Sequence, residues 1–274
     1  MTLRAIDLWV NVFMGGMANT DFMVRVKEDY FKAGDDFFRD LSPEETIATM
    51  DEAGVEKCLL TADPEQLDER FLAFPKAFPG RFFLALQPNL RHGMKALWAL
   101  EHAVREYPVV LARVTPFGLD LPPNDAVYYP LYAKCIELDL TCAVNTGIPG
   151  PPVPGECQHP MHLDRVCLHF PELRLVMQHG ADPWWETAIR LMIKYRNLYL
   201  MTSAYAPKYL PDSLVHYMNT RGQHKIMFAS DHPVLPMKRC IEEAKQLDLR
   251  PGVLEKYLYD NAEAVIFRDR RARY

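Results

Sequence analysis

The chain has 274 residues, a length that suits one large domain. It is 49% hydrophobic and 24% charged, close to the globular average, which excludes a disordered or fibrous protein. Its formal net charge is −5 and no apolar stretch approaches the roughly 18 residues of a membrane span, so we expect neither a nucleic-acid partner nor a membrane partner.

Short apolar runs recur along the chain with longer stretches of helical character between them. The interiors of these runs are almost continuously apolar, as is typical of parallel strands that are covered on both faces. They predict eight strands, at residues 3–10, 55–61, 81–87, 109–114, 140–145, 173–178, 198–202 and 225–230.

Helix signals fall between the predicted strands. Ser42 and Pro43 are typical of a helix N-terminus, and Gly54 predicts its end. Further helices are expected to begin near Pro183, Pro207 and Pro236. Eight strand–helix repeats without a glycine-rich nucleotide turn predict an α/β protein, a single-domain (β/α)8 TIM barrel over residues 1–274.

Two segments interrupt the alternation, at about 12–41 and 148–160. Each follows the C-terminal end of a predicted strand. Because active sites of such barrels lie at that end, we expect these loop insertions to form walls or a lid over a pocket.

Polar and aromatic residues at the ends of the predicted strands are the candidate site residues, since their side chains would point into that pocket. His179 and Asp231 are the candidates for catalysis. The candidates for substrate binding are Trp9, Asn11, Arg113, Asn145, Trp184 and Tyr205.

Several motifs, in their order and spacing, resemble the amidohydrolase superfamily, in the branch of the aminocarboxymuconate-semialdehyde and resorcylate-type decarboxylases and the pyrone-dicarboxylate lactonases. They are Ile6-Asp7, the run 50–55, the lead 170–173 into Gln178-His179-Gly180, the run 228–233, and 261–263. The resemblance covers nearly the whole chain and implies the same barrel fold, with a homodimer as its assembly.

The resemblance also implies a divalent metal, held by a His-x-His pair after strand one, a histidine after strand five and an aspartate after strand eight. In this sequence the three histidine positions correspond to Trp9, Asn11 and Asn145. Because an indole and two carboxamides are poor ligands for such an ion, we expect no metal and no other cofactor.

The favoured function is therefore metal-independent hydrolysis of a small carboxylated or cyclic substrate, such as a lactone, an activated ester or a C–C bond next to a carbonyl. Asp231 would be the general base, His179 would polarise the carbonyl, and Arg113 would bind a carboxylate. Two alternatives stay open: a metal-dependent, non-oxidative decarboxylase of an aromatic or unsaturated acid, and a pseudoenzyme that binds a small molecule without turnover.

Each candidate also has a structural interpretation. His179 would be a core imidazole, Asp231 a helix cap near Pro233, and Arg113 part of a buried ion pair. The six scattered cysteines show no CxxC pair and residues 1–13 show no signal-peptide pattern, so we expect reduced thiols and a cytoplasmic location.

Overall fold

The computed structural model describes residues 3–268; residues 1–2 and 269–274 of the predicted domain lie outside the described residues. Eight parallel strands are hydrogen-bonded in sequence order, which confirms the predicted single-domain (β/α)8 barrel. The strands are β1 (Ala5–Val10), β2 (Val55–Ala62), β3 (Phe82–Leu86), β4 (Val109–Val114), β5 (Thr141–Asn145), β6 (Leu175–Gln178), β7 (Leu198–Met201) and β8 (Ile226–Met227).

Helices follow the strands and surround the barrel. They are α1 (Asp21–Arg25), α2 (Pro43–Ala53), α3 (Glu69–Ala77), α4 (Met94–Glu106), α5 (Tyr129–Glu137), α6 (Leu163–His169), α7 (Trp185–Lys194), α8 (Asp212–Met218), α9 (Met237–Ala244), α10 (Val253–Glu255) and α11 (Asn261–Val265). None of the helices in the described part of the chain is both long and apolar enough to cross a membrane.

The predicted start of α2 is a complete capping box. The Ser42 hydroxyl accepts a hydrogen bond from the Glu45 amide, and the Glu45 carboxylate accepts one from the Ser42 amide. Gly54 ends the helix at a φ of +75°. After β6, helix α7 begins at Trp185, two residues beyond the predicted Pro183, and Pro236 directly precedes α9.

Contacts between β1 and the segment that follows β8 close the barrel. The buried Asp7 carboxylate accepts hydrogen bonds from the Ser230 amide, at 2.9 Å, and from the Ser230 hydroxyl. The Asp231 amide donates to the Trp9 carbonyl at 3.1 Å, and the Asn11 amide donates to the His232 carbonyl at 2.7 Å. These bonds hold the ends of β1 and β8 side by side.

Successive strand residues pack into two different apolar clusters, as the pleat of a strand requires. One cluster fills the barrel interior with side chains such as Leu8, Leu59 and Val176, and residues of α11 pack beneath it. The larger cluster lies between the strands and the surrounding helices. The six cysteines are all buried and free, as predicted for reduced thiols.

Candidate active site

Two candidate residues occupy left-handed backbone positions beyond the C-terminal ends of strands. His179 follows β6 at a φ of +61°, and Asp231 lies beyond β8 at a φ of +71°. Such conformations are uncommon for residues other than glycine and persist only where surrounding contacts fix them. The Ser203 hydroxyl accepts from the His179 amide at 3.0 Å, which is one such contact. The fold thus fixes both side chains at the C-terminal end of the barrel.

A chain of hydrogen bonds connects the end of β1 to Asp231. The Trp9 indole N–H donates to the Asn11 side-chain oxygen at 3.1 Å. The Asn11 amide in turn donates to Asp231 Oδ1 at 2.8 Å and to the His232 carbonyl at 3.1 Å. The Asn11 side chain therefore orients the Asp231 carboxyl group.

The Trp9 ring lies between a cation and a tilted imidazole. The Arg113 guanidinium carbon lies 3.8 Å from the centroid of the indole, and the His179 ring centroid lies 4.2 Å from it. A guanidinium in this position makes a favourable cation–π contact with the indole. Trp9 consequently connects the end of β4, through Arg113, to the end of β6, through His179.

Arg113 is completely buried and is part of a polar network inside the barrel. It donates to the Leu8 carbonyl at 2.5 Å and to Gln178 Oε1 at 2.7 Å, and Gln178 donates to the Asn145 side-chain oxygen. The two terminal nitrogens of Arg113 thus donate to groups inside the barrel, and the predicted binding of a substrate carboxylate by Arg113 stays a prediction.

A cavity of about 520 Å³ lies above this network, and six of the eight candidate residues line it: Trp9, Asn11, Asn145, His179, Tyr205 and Asp231. The other two lie outside its lining. Arg113 borders a neighbouring cavity of about 530 Å³ next to β2, β3 and β4, and Trp184 contacts His159 in a tilted arrangement with ring centroids 4.4 Å apart.

The upper wall of the 520 Å³ cavity is apolar and comes from the two segments that interrupt the strand–helix alternation. The first contributes Met14, Phe22, Met23, Val26 and Phe31, and the second contributes residues 148–151 and Gln158. The two segments pack closely, since a Cβ atom on Gly150 would lie 3.0 Å from the Phe22 ring. Among the described residues, no lysine or arginine lines this cavity.

Burial shifts the pKa values of both catalytic candidates. It raises the pKa of Asp231 to about 7, with a smaller lowering effect from the Asn11 hydrogen bond. Burial, together with the positive charge of Arg113, lowers the pKa of His179 to about 3. At neutral pH the cavity therefore holds a carboxyl group near its titration midpoint and a neutral imidazole.

Asp231 caps no helix in the structure, because α9 begins at Met237, six residues further on. Sequence reasoning did not select Gln158, nor Gln178, which connects Arg113 to Asn145. Gln178 could have been selected because it is a polar residue at the end of an otherwise apolar strand. For Gln158 the sequence offered no comparable signal, because it lies in a proline-rich loop.

The fold and the strand-end site define an enzyme of the amidohydrolase class. The chain belongs to the amidohydrolase family, whose model matches residues 17–268. No curated protein matches the chain in sequence.

Several solved structures have the same fold over almost their whole length. An uncharacterized TIM-barrel protein from Bordetella bronchiseptica is 22% identical, with a TM-score of 0.78 over 96% of this chain and 98% of that chain. The 5-carboxyvanillate decarboxylase LigW from Sphingomonas paucimobilis is 17% identical, with a TM-score of 0.73 over 97% and 99%. A dihydroxybenzoic acid decarboxylase from Polaromonas, solved with bound manganese, is 19% identical, with a TM-score of 0.69 over 96% of each chain.

The residues at the strand ends do not fit a bound divalent metal. The Trp9 indole is a donor only, the Asn145 oxygen already accepts from Gln178, and the Arg113 guanidinium against Trp9 would repel a cation. Within residues 3–268, no three His, Cys, Asp or Glu side chains are grouped closely enough to hold an ion. That Trp9, Asn11 and Asn145 replace histidines of relatives stays an interpretation of the sequence.

Proposed function

We propose that this protein is a non-oxidative decarboxylase of a small aromatic or unsaturated carboxylic acid, with Asp231 as the proton donor. The observation that carries the proposal is the setting of Asp231: its pKa is raised to about 7, and it lies in a largely apolar cavity without a lysine or arginine among the described lining residues. A carboxyl group with such a pKa is partly protonated at neutral pH and can act as a general acid.

In the proposed reaction, protonated Asp231 transfers its proton to the substrate carbon that carries the carboxylate, and a π-electron pair of the ring or double bond forms the new C–H bond. The bond between that carbon and the carboxylate then breaks, its electron pair restores the π bond, and CO₂ leaves. A proton from solvent returns to the Asp231 carboxylate. Because the cavity offers a substrate carboxylate no lining cation, conversion of that anion to neutral CO₂ is favoured there.

The neighbouring residues support the proton transfer. Asn11 holds Asp231 Oδ1, so the other carboxyl oxygen is available to the substrate. His179 is neutral, so its unprotonated ring nitrogen can accept a hydrogen bond from a substrate hydroxyl. Trp9 and Tyr205 provide flat walls for a planar ring.

Decarboxylation is the better supported of the reactions considered, since LigW and the Polaromonas enzyme, which share the fold, are decarboxylases. The proposal differs from the metal-dependent alternative because the donor groups around Trp9 do not fit a cation. The cytoplasmic location and the homodimer stay predictions.

Metal-independent hydrolysis of a lactone or activated ester is the second candidate. One observation favours it: Asp231 is anchored through only one carboxyl oxygen, so in its ionised form the other can accept a proton from water. The two candidates need opposite protonation states of the same group, which makes them separable by pH.

The proposal is tested with a panel of hydroxybenzoates and unsaturated acids assayed for CO₂ release, beside lactones and activated esters assayed for ring opening or ester cleavage. We expect CO₂ release from at least one acid, and its loss in Asp231→Asn. Cleavage of lactones or esters alone would establish the hydrolase. Absence of turnover across both sets in a correctly folded protein would favour the ligand-binding pseudoenzyme.

A further inference from the structure

Gln158 is a buried side chain in the wall of the cavity that holds Asp231. It lies at the end of the proline-rich segment and is 2% exposed. Two hydrogen bonds join it to Gly147: the Gln158 side-chain amide donates to the Gly147 carbonyl at 2.9 Å, and the Gly147 amide donates to the Gln158 carbonyl at 3.2 Å. The position and orientation of the Gln158 carboxamide are therefore fixed.

The backbone at Gly147 makes this arrangement rigid. Gly147 has a φ of +89°, and a Cβ atom there would lie 3.0 Å from the carbonyl oxygen of Asp182. Only glycine is compatible with both conditions. The acceptor partner of the Gln158 amide is thus held by the backbone packing around it.

The other end of the same carboxamide has no partner. Gln158 Oε1 is fully buried and accepts no hydrogen bond from the described residues. An unsatisfied buried acceptor destabilises a fold, so such atoms are few in folded proteins and each needs an explanation. Because the amide nitrogen is committed to Gly147, the oxygen cannot be satisfied by turning the side chain over.

A second unpartnered polar atom belongs to a residue that lines the same cavity. His179 Nδ1 is buried without a hydrogen-bond partner, and the low pKa of His179 keeps its ring neutral. With the Asp231 carboxyl group, the described lining thus offers several hydrogen-bond acceptors and no cation. This inventory suits a ligand that brings its own donor groups.

We infer that Gln158 is a specificity-determining residue, whose Oε1 accepts a hydrogen bond from a hydroxyl or amino substituent on the ring of the bound molecule. This inference rests on the proposed function for the identity of the site, but it concerns binding and not turnover. A site with an orphaned buried acceptor discriminates strongly against an analogue that lacks the donor, since the analogue leaves that acceptor unpaired.

The test measures binding by calorimetry in the Asp231→Asn variant, where turnover is blocked. The probes are benzoate, its 2-, 3- and 4-hydroxy isomers, and the matching methoxybenzoates. We expect one hydroxy isomer to bind at least about 10-fold more tightly than benzoate, an advantage of the size that one buried hydrogen bond provides. The matching methoxy compound should lose that advantage, because its oxygen has no proton to donate.

In a Gln158→Met background the advantage should fall to about threefold or less, and in Gln246→Met, which alters an exposed glutamine beyond α9, it should be unchanged. Equal binding of all isomers, or an advantage that survives in Gln158→Met, would overturn the inference. If Gln158→Met fails to fold, equal binding of matched hydroxy and methoxy probes would still overturn the inference. Isomer-selective binding without CO₂ release from any acid would refute the proposed function alone.

Discussion

Removal of the Asn11 side chain should shift the pH dependence of catalysis in a direction set by the structure. Asn11 donates to Asp231 Oδ1 at 2.8 Å and so stabilises the ionised carboxylate. Truncation in Asn11→Ala removes that stabilisation, so the pKa of Asp231 must rise above its value of about 7.

The magnitude follows from the strength of the lost bond. A hydrogen bond to a charged group contributes about 1.5–3 kcal/mol, and one pKa unit corresponds to about 1.4 kcal/mol. The pKa of Asp231 should therefore rise by about one to two units. If protonated Asp231 is the reactive form, kcat/KM of the wild-type enzyme falls above about pH 7, and that decline moves to about pH 8–9 in Asn11→Ala.

The assay is CO₂ release from the best substrate of the panel, measured as kcat/KM between pH 5 and pH 10. Asn19→Ala, which truncates an exposed asparagine before α1, is the matched control and should keep the wild-type profile. A decline that stays in place, or that moves to lower pH, would refute the role of Asn11. Activity that increases through pH 7 in the wild type would instead assign Asp231 as a base.

Three further results are expected. Because the folded-state pKa of Asp231 lies near 7 and the unfolded value near 3.9, the Asp231 contribution to stability should fall as pH rises from about 4 to 7. The stability of Asp231→Asn relative to wild type should therefore rise over that range and be greater at pH 8 than at pH 4 by at least about 1 kcal/mol in urea unfolding. Gly180→Ala should cost about 2–4 kcal/mol, since its Cβ would lie 2.3 Å from the Trp185 ring, whereas Gly252→Ala, at a similar positive φ in open space, should cost about 1 kcal/mol. Phe22→Ala should raise KM several-fold with little change in kcat, because Phe22 forms part of the cavity wall.

The barrel could be predicted from the sequence because its strands are buried on both faces. That burial leaves almost continuous apolar runs, and the observed strands lie within one or two residues of most of the predicted bounds. β8 is the exception, since it covers only Ile226–Met227 of the predicted 225–230. The residues after it, including Asp231, form irregular backbone that bonds to β1 instead.

The candidate site could be predicted only in part. Strand-end position selected His179, Asp231 and Asn145, because the topology of a parallel barrel brings all strand ends to one face. It could not show that Arg113 would turn inward to the Leu8 carbonyl. That orientation depends on partners from other strands, far away in the sequence.

The apolar wall and Gln158 depend on contacts between distant loops. The segment from Met14 to Phe31 lies over the cavity because it packs against residues near Gly150, more than a hundred positions away. Periodicity carries no information about such packing. The composition of the loops predicted a wall or lid but not which of their side chains would face the ligand.

The metal content of the active enzyme tests most directly whether the enzyme releases CO₂, with Asp231 as proton donor, without a bound metal ion. CO₂ release should be measured before and after exhaustive chelation, with elemental analysis of the same samples, and again after addition of manganese. We predict equal turnover in all three preparations, with far less than one transition-metal ion per chain in the chelated sample. Loss of turnover on chelation, restored by stoichiometric manganese, would contradict the account.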